Sequence, residues 1–349
     1  YALIVIHRGH EHSGRLSDQI EELDLQEVWA FSWDCRGHGR SPGERGYAEH
    51  YDYHIKDLDA FATFVSNRYD IPVENMVVLA NSVGAVTAAA WVHDYAPRIR
   101  AMVLAAPAFR IRLYVPLAIP LLRLLQKLRG KAFISSYVKS KMLTHDPEQS
   151  RKYDEDELIT RNIAVNILLG LHDTSTRLLA DAGAITTPTL ILSAGSDWVV
   201  QNSAQRRFFE ELSSVVKEMH LYPGFFHAVL YEKDRKKPIA RARQFIEKAF
   251  ETPLETAFLI DQDQKGYTRE EYDRLRQPAS LLTAIRFSLQ KWLMQTLGRL
   301  SAGVRLGWQT GFDSGKSLDY VYENRARGTT FIGRMMDRQY LNSVGWQGI

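Results

Sequence analysis

The chain has 349 residues, of which 45% are hydrophobic and 24% are charged, so it can bury a large core and is typical of a globular protein. A net charge of +3 falls short of the concentrated basic face that nucleic-acid binding requires, and we expect no nucleic-acid partner. The single cysteine, Cys35, excludes an intrachain disulfide and favours a reducing, cytoplasmic setting.

Short apolar runs rich in β-branched or aromatic residues predict the strands of a sheet. Four come early in the chain and a fifth much later: Ala2 to Ile6, Val28 to Trp33, Met76 to Ala80, Ala101 to Ala105 and Thr189 to Ser193. Helical patterns separate them, notably Tyr51 to Asn67 and Val83 to Tyr95. This alternation predicts an α/β fold, with a mostly parallel sheet flanked by helices.

The strand pattern is interrupted between Pro107 and Pro188, where the sequence is helical and contains Leu-rich and basic stretches. This interruption predicts a helical cap over about residues 108–180, inserted into a core made of residues 1–107 and 181–250. After residue 250 the composition becomes more polar, and we interpret residues 251–349 as a mainly helical extension or linker.

A serine, Ser82, lies between the third predicted strand and the helix that begins at Val83. Ala80 and Gly84 stand two residues before and two residues after it, and both are small enough for strand and helix to approach each other across a sharp turn. This pattern is typical of a nucleophile elbow, although alanine replaces the usual first glycine. For the pentapeptide alone, a structural or helix-capping serine is the alternative.

Two downstream residues complete the expected order of serine, acid and histidine. Asp197 follows the fifth strand in a short loop, and His227 follows a strand-like run, Glu218 to Tyr222, and a turn. Serine becomes an effective nucleophile when an imidazole accepts its proton, and a carboxylate holds that imidazole in the useful tautomer. We predict Ser82 as nucleophile, His227 as general base and Asp197 as the orienting acid.

An oxyanion hole needs two backbone N–H groups, one just after the nucleophile and one in the loop after an early strand. Val83 supplies the first, and we assign the second to Gly9, which follows the first strand. The nearby His10 and His12 could instead be ligands of a metal ion. Because no carboxylate cluster accompanies them, we favour hydrogen-bonded structure and predict no metal.

Three stretches carry a resemblance to a known family: Gly9 to Arg15, Asp34 to Gly43, and the Pro223-Gly224 turn with His227 downstream. They resemble the monoacylglycerol lipase and lysophospholipase-like branch of the α/β-hydrolases, the serine aminopeptidase S33 group. Over about residues 1–250, the resemblance implies an α/β-hydrolase fold and hydrolysis of a lipid-like acyl ester. Arg8 stands where this family usually has glycine, which leaves the shape of the oxyanion loop open.

The run from Asp34 to Gly43 also has a structural interpretation, which we favour. In it, Asp34 and Arg36 pair with each other, and the run braces the loops around the site. Cys35 is then packed rather than reactive.

The stretch over residues 110–141 interleaves leucines with basic residues. We expect its apolar side chains, about Leu117, Leu121 and Leu125, to form the acyl-binding wall. Its basic residues predict peripheral contact with an anionic membrane surface, as at the inner face of the cytoplasmic membrane. A cap packed only on its own core is the alternative. No uncharged apolar run of about 18 residues occurs, so no transmembrane helix is predicted.

The segment from Leu318 to Ile349 resembles the junction in bifunctional bacterial proteins that join this hydrolase to a class I S-adenosylmethionine-dependent methyltransferase. The resemblance implies a fused methyltransferase domain beyond this chain. We expect no methyltransferase activity from these residues, because no glycine-rich loop follows a strand. Residues 261–266 and 311–317 lack the patterns of a calcium loop and a phosphate loop, and no cofactor is predicted.

Together these features predict a serine carboxylic ester hydrolase that acts on a monoacylglycerol or lysophospholipid type of ester through an acyl-enzyme. A thioesterase, amidase or peptidase with the same triad stays open, because the acyl pocket and leaving-group site lie in the cap. A catalytically silent ligand-binding scaffold is the alternative from another class of protein.

Overall fold

The computed structural model describes residues 1–253. The predicted extension over residues 251–349 lies almost entirely outside this range, as do the segments 261–266, 311–317 and Leu318 to Ile349. The proposed boundary near residue 250 therefore stays a prediction.

Eight strands and eight α-helices make up the part of the chain that the structure describes. The strands are β1 (Ala2–Ile6), β2 (Trp29–Ser32), β3 (Met76–Asn81), β4 (Ala101–Ala105), β5 (Phe133–Ser135), β6 (Asn162–Ala164), β7 (Thr189–Ala194) and β8 (Lys217–Tyr222). The helices are α1 (Ser17–Leu23), α2 (Asp52–Tyr69), α3 (Val83–Tyr95), α4 (Ala118–Arg129), α5 (Pro147–Glu155), α6 (Val165–Ala180), α7 (Asn202–Glu211) and α8 (Lys236–Glu251). Short 3-10 turns lie at Ser13–Leu16, Val73–Asn75, Ser140–Met142, Ala182–Ala184 and Val229–Tyr231.

Six strands form one parallel sheet in the order β2-β1-β3-β4-β7-β8. The predicted α/β class is confirmed, with helices flanking a parallel sheet. Every residue of β1, β3, β4 and β7 is buried, which explains why these strands read as continuous apolar runs rather than alternating ones.

The strand order reverses at β1, because β2 lies on one side of β1 and all later strands lie on the other. Ligands of open α/β sheets bind outside the carboxyl ends of the strands at such a reversal. The loops that leave β1 and β3 begin there, at His7 and Ser82, and the register aligns Ile6 with Ala80. The sheet thus brings the first loop and the predicted elbow together.

The segment predicted as a helical cap contains α4, α5 and α6, but it also contains an antiparallel ribbon in which β5 pairs with β6. The insertion is therefore mainly helical, as expected, with a short ribbon that the sequence did not predict. Each ribbon strand has three residues, too few to show the alternation by which strands are recognised. The ribbon lies against the core loop at Gly46, whose carbonyl accepts a hydrogen bond from the Ala164 N–H at 2.9 Å.

Candidate active site

Ser82 lies between β3 and α3 in a left-handed conformation, with φ 53° and ψ −111°. Such a conformation is strained for a residue other than glycine and is typical of a nucleophile elbow. A β-carbon at Gly84 would lie 2.6 Å from the His7 carbonyl oxygen, so only glycine permits this approach of α3 to the end of β1. The Ser82 N–H donates to the Ala105 carbonyl at 2.8 Å, which ties the turn to β4.

The side chains of Ser82, His227 and Asp197 form a continuous chain of hydrogen bonds. His227 Nε2 lies 2.7 Å from Ser82 Oγ, and His227 Nδ1 lies 2.8 Å from Asp197 Oδ2. Because the carboxylate only accepts, Nδ1 carries the ring proton, and Nε2 is left to accept from the serine hydroxyl. All three residues are buried. The structure therefore brings together the three residues that the sequence predicts as a triad.

Asp197 is held in its charged form by more than His227. Its Oδ1 accepts from the backbone N–H groups of Val199 at 2.7 Å and Val200 at 2.9 Å. Burial raises the pKa of Asp197, but His227 and these two amides outweigh burial and lower the pKa below its ordinary value. A carboxylate in this state orients the imidazole and can stabilise its protonated form.

Gly9 and Val83 lie side by side next to Ser82. A β-carbon at Gly9 would lie 2.8 Å from Val83 Cγ2, so glycine permits the close approach. Within residues 1–253, neither backbone N–H has a hydrogen-bond acceptor, and both residues line the same cavity as Ser82. Two unpartnered N–H groups beside a serine hydroxyl can stabilise a developing oxyanion.

The loop after β1 is fixed by histidines from its own segment and from the next loop. His38 Nε2 donates to the Gly9 carbonyl at 2.7 Å. His7 Nδ1 donates to the Arg8 carbonyl at 2.7 Å, and its Nε2 accepts from the Cys35 N–H at 3.0 Å. These bonds hold the peptide that carries the free Gly9 N–H.

The next two histidines of the loop bind separate partners. His10 Nδ1 donates to the Thr160 carbonyl at 2.8 Å, whereas His12 Nε2 lies 2.8 Å from Asp156 Oδ2. Both partners belong to the cap, so the loop also joins cap and core. No group of three or more histidine, cysteine or carboxylate side chains with metal-binding geometry is found within residues 1–253.

Arg8, which replaces the family's usual glycine, folds its side chain onto the same loop. Its Nε donates to Glu11 at 2.9 Å and its Nη2 at 2.5 Å, and its guanidinium stacks 4.7 Å from the ring centroid of Tyr231. Burial raises the pKa of Glu11, but Arg8 and Arg15 outweigh burial and hold the pKa below its ordinary value. The Arg8 side chain is thus accommodated in a buried ion pair with Glu11, and the Gly9 N–H stays free.

Asp34 and Arg36 do not pair with each other, which corrects the expected ion pair. Asp34 accepts from the backbone N–H groups of Ser13 and Arg40, both at 2.7 Å, and Arg36 Nε donates to Asp57 at 2.6 Å. Asp34 still links two loops beside the site. Burial raises the pKa of the Cys35 thiol to about 12, so the thiol stays protonated at neutral pH.

Comparison with known proteins places the chain in a family. A sequence model described as "Serine aminopeptidase, S33" matches residues 1–234. The chain belongs to this α/β-hydrolase family. A second model, described as "Putative methyltransferase", matches residues 242–349, and the predicted resemblance to a hydrolase joined to a methyltransferase is confirmed.

Related proteins and structures agree with a hydrolase of the lipase and esterase type. The chain is 44% identical to the Escherichia coli K12 protein YnbC over 99% of its own length, and it spans 60% of YnbC. It is 24% identical to a monoacylglycerol lipase of Mycolicibacterium smegmatis, covering 67% of this chain and 83% of that one. The crystal structure of Paleococcus ferrophilus monoacylglycerol lipase has the same fold, with a TM-score of 0.65 at 22% identity over 71% of this chain and 94% of that one.

The cavity of this hydrolase in front of Ser82 is walled largely by apolar side chains from the cap. They come from the loops of the cap, from the ribbon and from α6. The set includes Ile111, Leu113, Ile134, Val138, Leu143, Ile163, Ile167, Leu168 and Leu171. Leu117, Leu121 and Leu125, the expected acyl wall, do not line it. Leu117 and Leu121 are 74% and 54% exposed, and Leu125 is half-buried.

Sequence reasoning missed three features of this site. His54 of α2 lies in the cavity wall, His38 bonds to the oxyanion loop, and α6 supplies much of the apolar lining. For α6 a signal was present, because Val165, Leu168 and Leu169 repeat at helical spacing and all three are buried. His38 and His54 gave no such signal, since their roles depend on where loops meet.

Proposed function

We propose that the protein is a serine carboxylic ester hydrolase that cleaves a lipid-like acyl ester through an acyl-enzyme. Ser82 Oγ attacks the ester carbonyl while His227 Nε2 accepts its proton, and Asp197 stabilises the resulting imidazolium. The backbone N–H groups of Gly9 and Val83 hold the oxyanion of the tetrahedral intermediate. His227 then returns the proton to the departing alcohol, and water releases the acid by the same steps.

The observation that carries this proposal is the buried chain of hydrogen bonds from Asp197 through His227 to Ser82, beside two unpartnered backbone N–H groups. A buried carboxylate, an imidazole with a defined tautomer and a strained serine are together suited to nucleophilic attack on a carbonyl.

The apolar wall supports a lipid-like acyl group. Most of the cap side chains that line the cavity are leucine, isoleucine and valine, which bury hydrocarbon; Ser135, Ser136, Tyr137 and Tyr153 are the polar ones. Relatives and structural neighbours named as monoacylglycerol lipases support the same class of substrate, a monoacylglycerol or lysophospholipid type of ester.

The test is labelling with a fluorophosphonate probe, together with hydrolysis of p-nitrophenyl esters of increasing chain length and of the matching thioester and amide. We expect the wild-type chain to be labelled and to prefer esters of medium or long acids. Ser82→Ala should lose labelling and at least about 10⁴-fold in kcat. A folded wild-type chain that neither labels nor turns over any of these compounds would favour the silent scaffold.

We also propose that the cap lies against an anionic lipid surface. The outer face of α4 and the residues before it expose Leu117, Leu121, Leu124 and Leu128, and no Asp or Glu occurs between Arg110 and Lys141. Exposed leucines among basic residues are typical of helices that lie in the membrane interface. Within residues 1–253 no helix combines the length and apolar character needed to cross a bilayer.

The match of residues 242–349 to a methyltransferase family supports a second domain in the complete protein. We propose that the hydrolase is fused to this methyltransferase-like partner, as expected from the resemblance of the C-terminal segment.

A further inference from the structure

One part of the cavity wall is made of imidazole rings rather than of apolar side chains. His54, near the start of α2, is 8% exposed, and that exposure faces the cavity it lines. Within residues 1–253 neither of its ring nitrogens has a hydrogen-bond partner. Both nitrogens are nevertheless accessible to solvent, because neither is among the fully buried side-chain atoms that lack a partner. Its contacts are rings, with centroids 5.6 Å away in Tyr51 and 6.3 Å away in His38.

His10 offers a second nitrogen to the same cavity. Because its Nδ1 donates to the Thr160 carbonyl, the neutral ring has no proton on Nε2, which is therefore an acceptor. No side chain or backbone group in residues 1–253 donates to that nitrogen, and His10 lies in the wall beside Gly9. The ring nitrogens of His54 and the Nε2 of His10 are open to the cavity, so a ligand bound there can form hydrogen bonds with them.

The two rings stay neutral near pH 7. Burial lowers the pKa of His54 to about 3 and the pKa of His10 to about 4. A neutral His54 has one donor and one acceptor, and His10 adds a second acceptor. The charged side chains in the described wall, Arg8 and Glu11, are paired with each other and add no net charge.

This set of donors and acceptors fits a hydroxyl group better than it fits a charged head group. A hydroxyl both donates and accepts, so it can satisfy an imidazole N–H and an imidazole lone pair. Phosphate would face acceptor nitrogens without a compensating positive charge, and a quaternary ammonium group has no N–H to donate.

We propose that His10 and His54 form a subsite for the hydroxyl groups of a neutral, hydroxylated ester. This inference rests on the proposed function and narrows its substrate class to uncharged esters. The hydroxyls can belong to a polyol alcohol, such as a glycerol monoester, or to a hydroxylated acyl chain. His7 and His38 take no part, because both of their ring nitrogens face the oxyanion loop or its neighbours.

The experiment measures selectivity rather than activity alone. In the first arm, kcat/KM for 1-monooctanoylglycerol is divided by kcat/KM for ethyl octanoate. In the second arm, ethyl hydroxyoctanoate replaces the glyceride. Each constant is expressed per active site counted by fluorophosphonate labelling, so misfolded protein does not enter the ratios. 1-Octanoylglycerol 3-phosphate serves as the charged comparison.

We expect His54→Phe, which keeps a ring but removes both nitrogens, to lower one of the two ratios about five- to tenfold, as loss of a neutral hydrogen bond does. His54→Gln should recover part of that selectivity, because its amide can donate and accept. His10→Ala provides an independent variant and should lower the same ratio. The control is His50→Phe, an exposed histidine of the same segment, which should leave both ratios unchanged.

The arm whose ratio falls identifies the source of the hydroxyl. Equal ratios in wild type, His54→Phe and His10→Ala would overturn the subsite while leaving the hydrolase in place, as would preference for the phosphorylated glyceride. Absence of labelling in the wild-type chain would overturn the proposed function, and the subsite with it.

Discussion

Ser82 owes its position to the absence of side-chain bulk around it. Its left-handed φ of 53° is a strained conformation, and such strain persists only where neighbouring contacts enforce it. Gly84 contributes by allowing α3 to meet the end of β1, where even a methyl group would contact the His7 carbonyl and Ile6. The small residues recognised in the sequence therefore mark a place where helix and strand lie close together in the structure.

Gly84→Ala tests that approach. The added β-carbon would lie 2.6 Å from the backbone oxygen of His7, which cannot rotate away as a side chain can. We expect a loss of about 1–3 kcal/mol in the free energy of unfolding, measured by urea denaturation, because overpacking forces a backbone shift. Labelling of Ser82 should slow as well, since α3 carries the Val83 N–H.

Gly183→Ala is the matched control for Gly84→Ala. A β-carbon at Gly183 would meet nothing closer than 3.6 Å and its φ is not left-handed, so we expect a change within about 0.5 kcal/mol. Equal stability of the two alanine variants would contradict the packing argument at the elbow.

Individual residues were predictable from sequence where their position follows from a strand end. Ser82, Asp197 and His227 each come shortly after a strand of the sheet, and parallel strands bring such residues to one edge. The bond from His38 to Gly9 and the exposure of His54 to the cavity gave no local pattern. They depend on how the loops after β1 and β2 meet the start of α2.

Secondary-structure elements also differ in how well the sequence predicts them. The parallel strands were recognisable because burial on both faces makes them apolar throughout. The β5–β6 ribbon was not, since its strands are too short. In α4 the leucines recur at helical spacing, but that spacing does not say what covers their side of the helix. The structure leaves Leu117, Leu121 and Leu128 exposed, and α6 lines the cavity instead.

The proposed membrane contact of the exposed leucines of α4 can be tested by vesicle binding. We expect the full chain to sediment with vesicles of phosphatidylglycerol and phosphatidylcholine, and less with phosphatidylcholine alone. The double variant Leu121→Glu with Leu128→Glu should reduce binding to anionic vesicles at least about tenfold, because it removes apolar contact and adds negative charge. Raising the salt concentration should weaken binding of the wild-type chain, since the basic residues act through screened charges.

Val215→Glu is the control for the α4 variants. Val215 is 98% exposed but lies in the loop before β8, away from the cap segment. Its change should leave vesicle binding within about twofold of the wild type. Equal losses for Val215→Glu and the α4 double variant would mean that net charge alone decides binding, and that α4 is not the contact face.

At the scale of the whole molecule, the fold class was predictable because every core strand is bounded by helical segments and breaks. The contents of the cap were not, since cap segments pack on one another, on the core helices α3 and α7 and on loops rather than on the sheet. The same packing buries several titratable groups that composition alone would leave in solvent. His7, His10, His38 and His54 all lie within the cavity wall, and burial lowers the pKa of each.

These buried histidines predict a stability that falls on mild acidification. The pKa of His54 is about 3 in the folded chain, against 6.5 as its ordinary value, so between these values the unfolded chain binds the proton and the folded chain does not. Proton uptake then favours unfolding, and stability is lost as the pH falls below about 6.5. The carboxyl groups of Glu11, Asp34 and Asp197 also have lowered pKa values, but in the unfolded chain they take up protons mainly below about pH 4.5.

Urea denaturation at pH 7 and pH 5 measures the contribution of the His54 ring to the pH dependence of the free energy of unfolding. Each histidine with a pKa near 3 or 4 contributes about 2 kcal/mol to the loss over this interval, at about 1.4 kcal/mol per pH unit below 6.5. His54→Phe should therefore lose about 2 kcal/mol less than the wild type between pH 7 and pH 5, whereas the exposed His50→Phe should lose as much as the wild type. If His54→Phe and wild type lose equal stability, His54 titrates alike in the folded and unfolded chains. The effect of burial that lowers the pKa of His54 would then be absent.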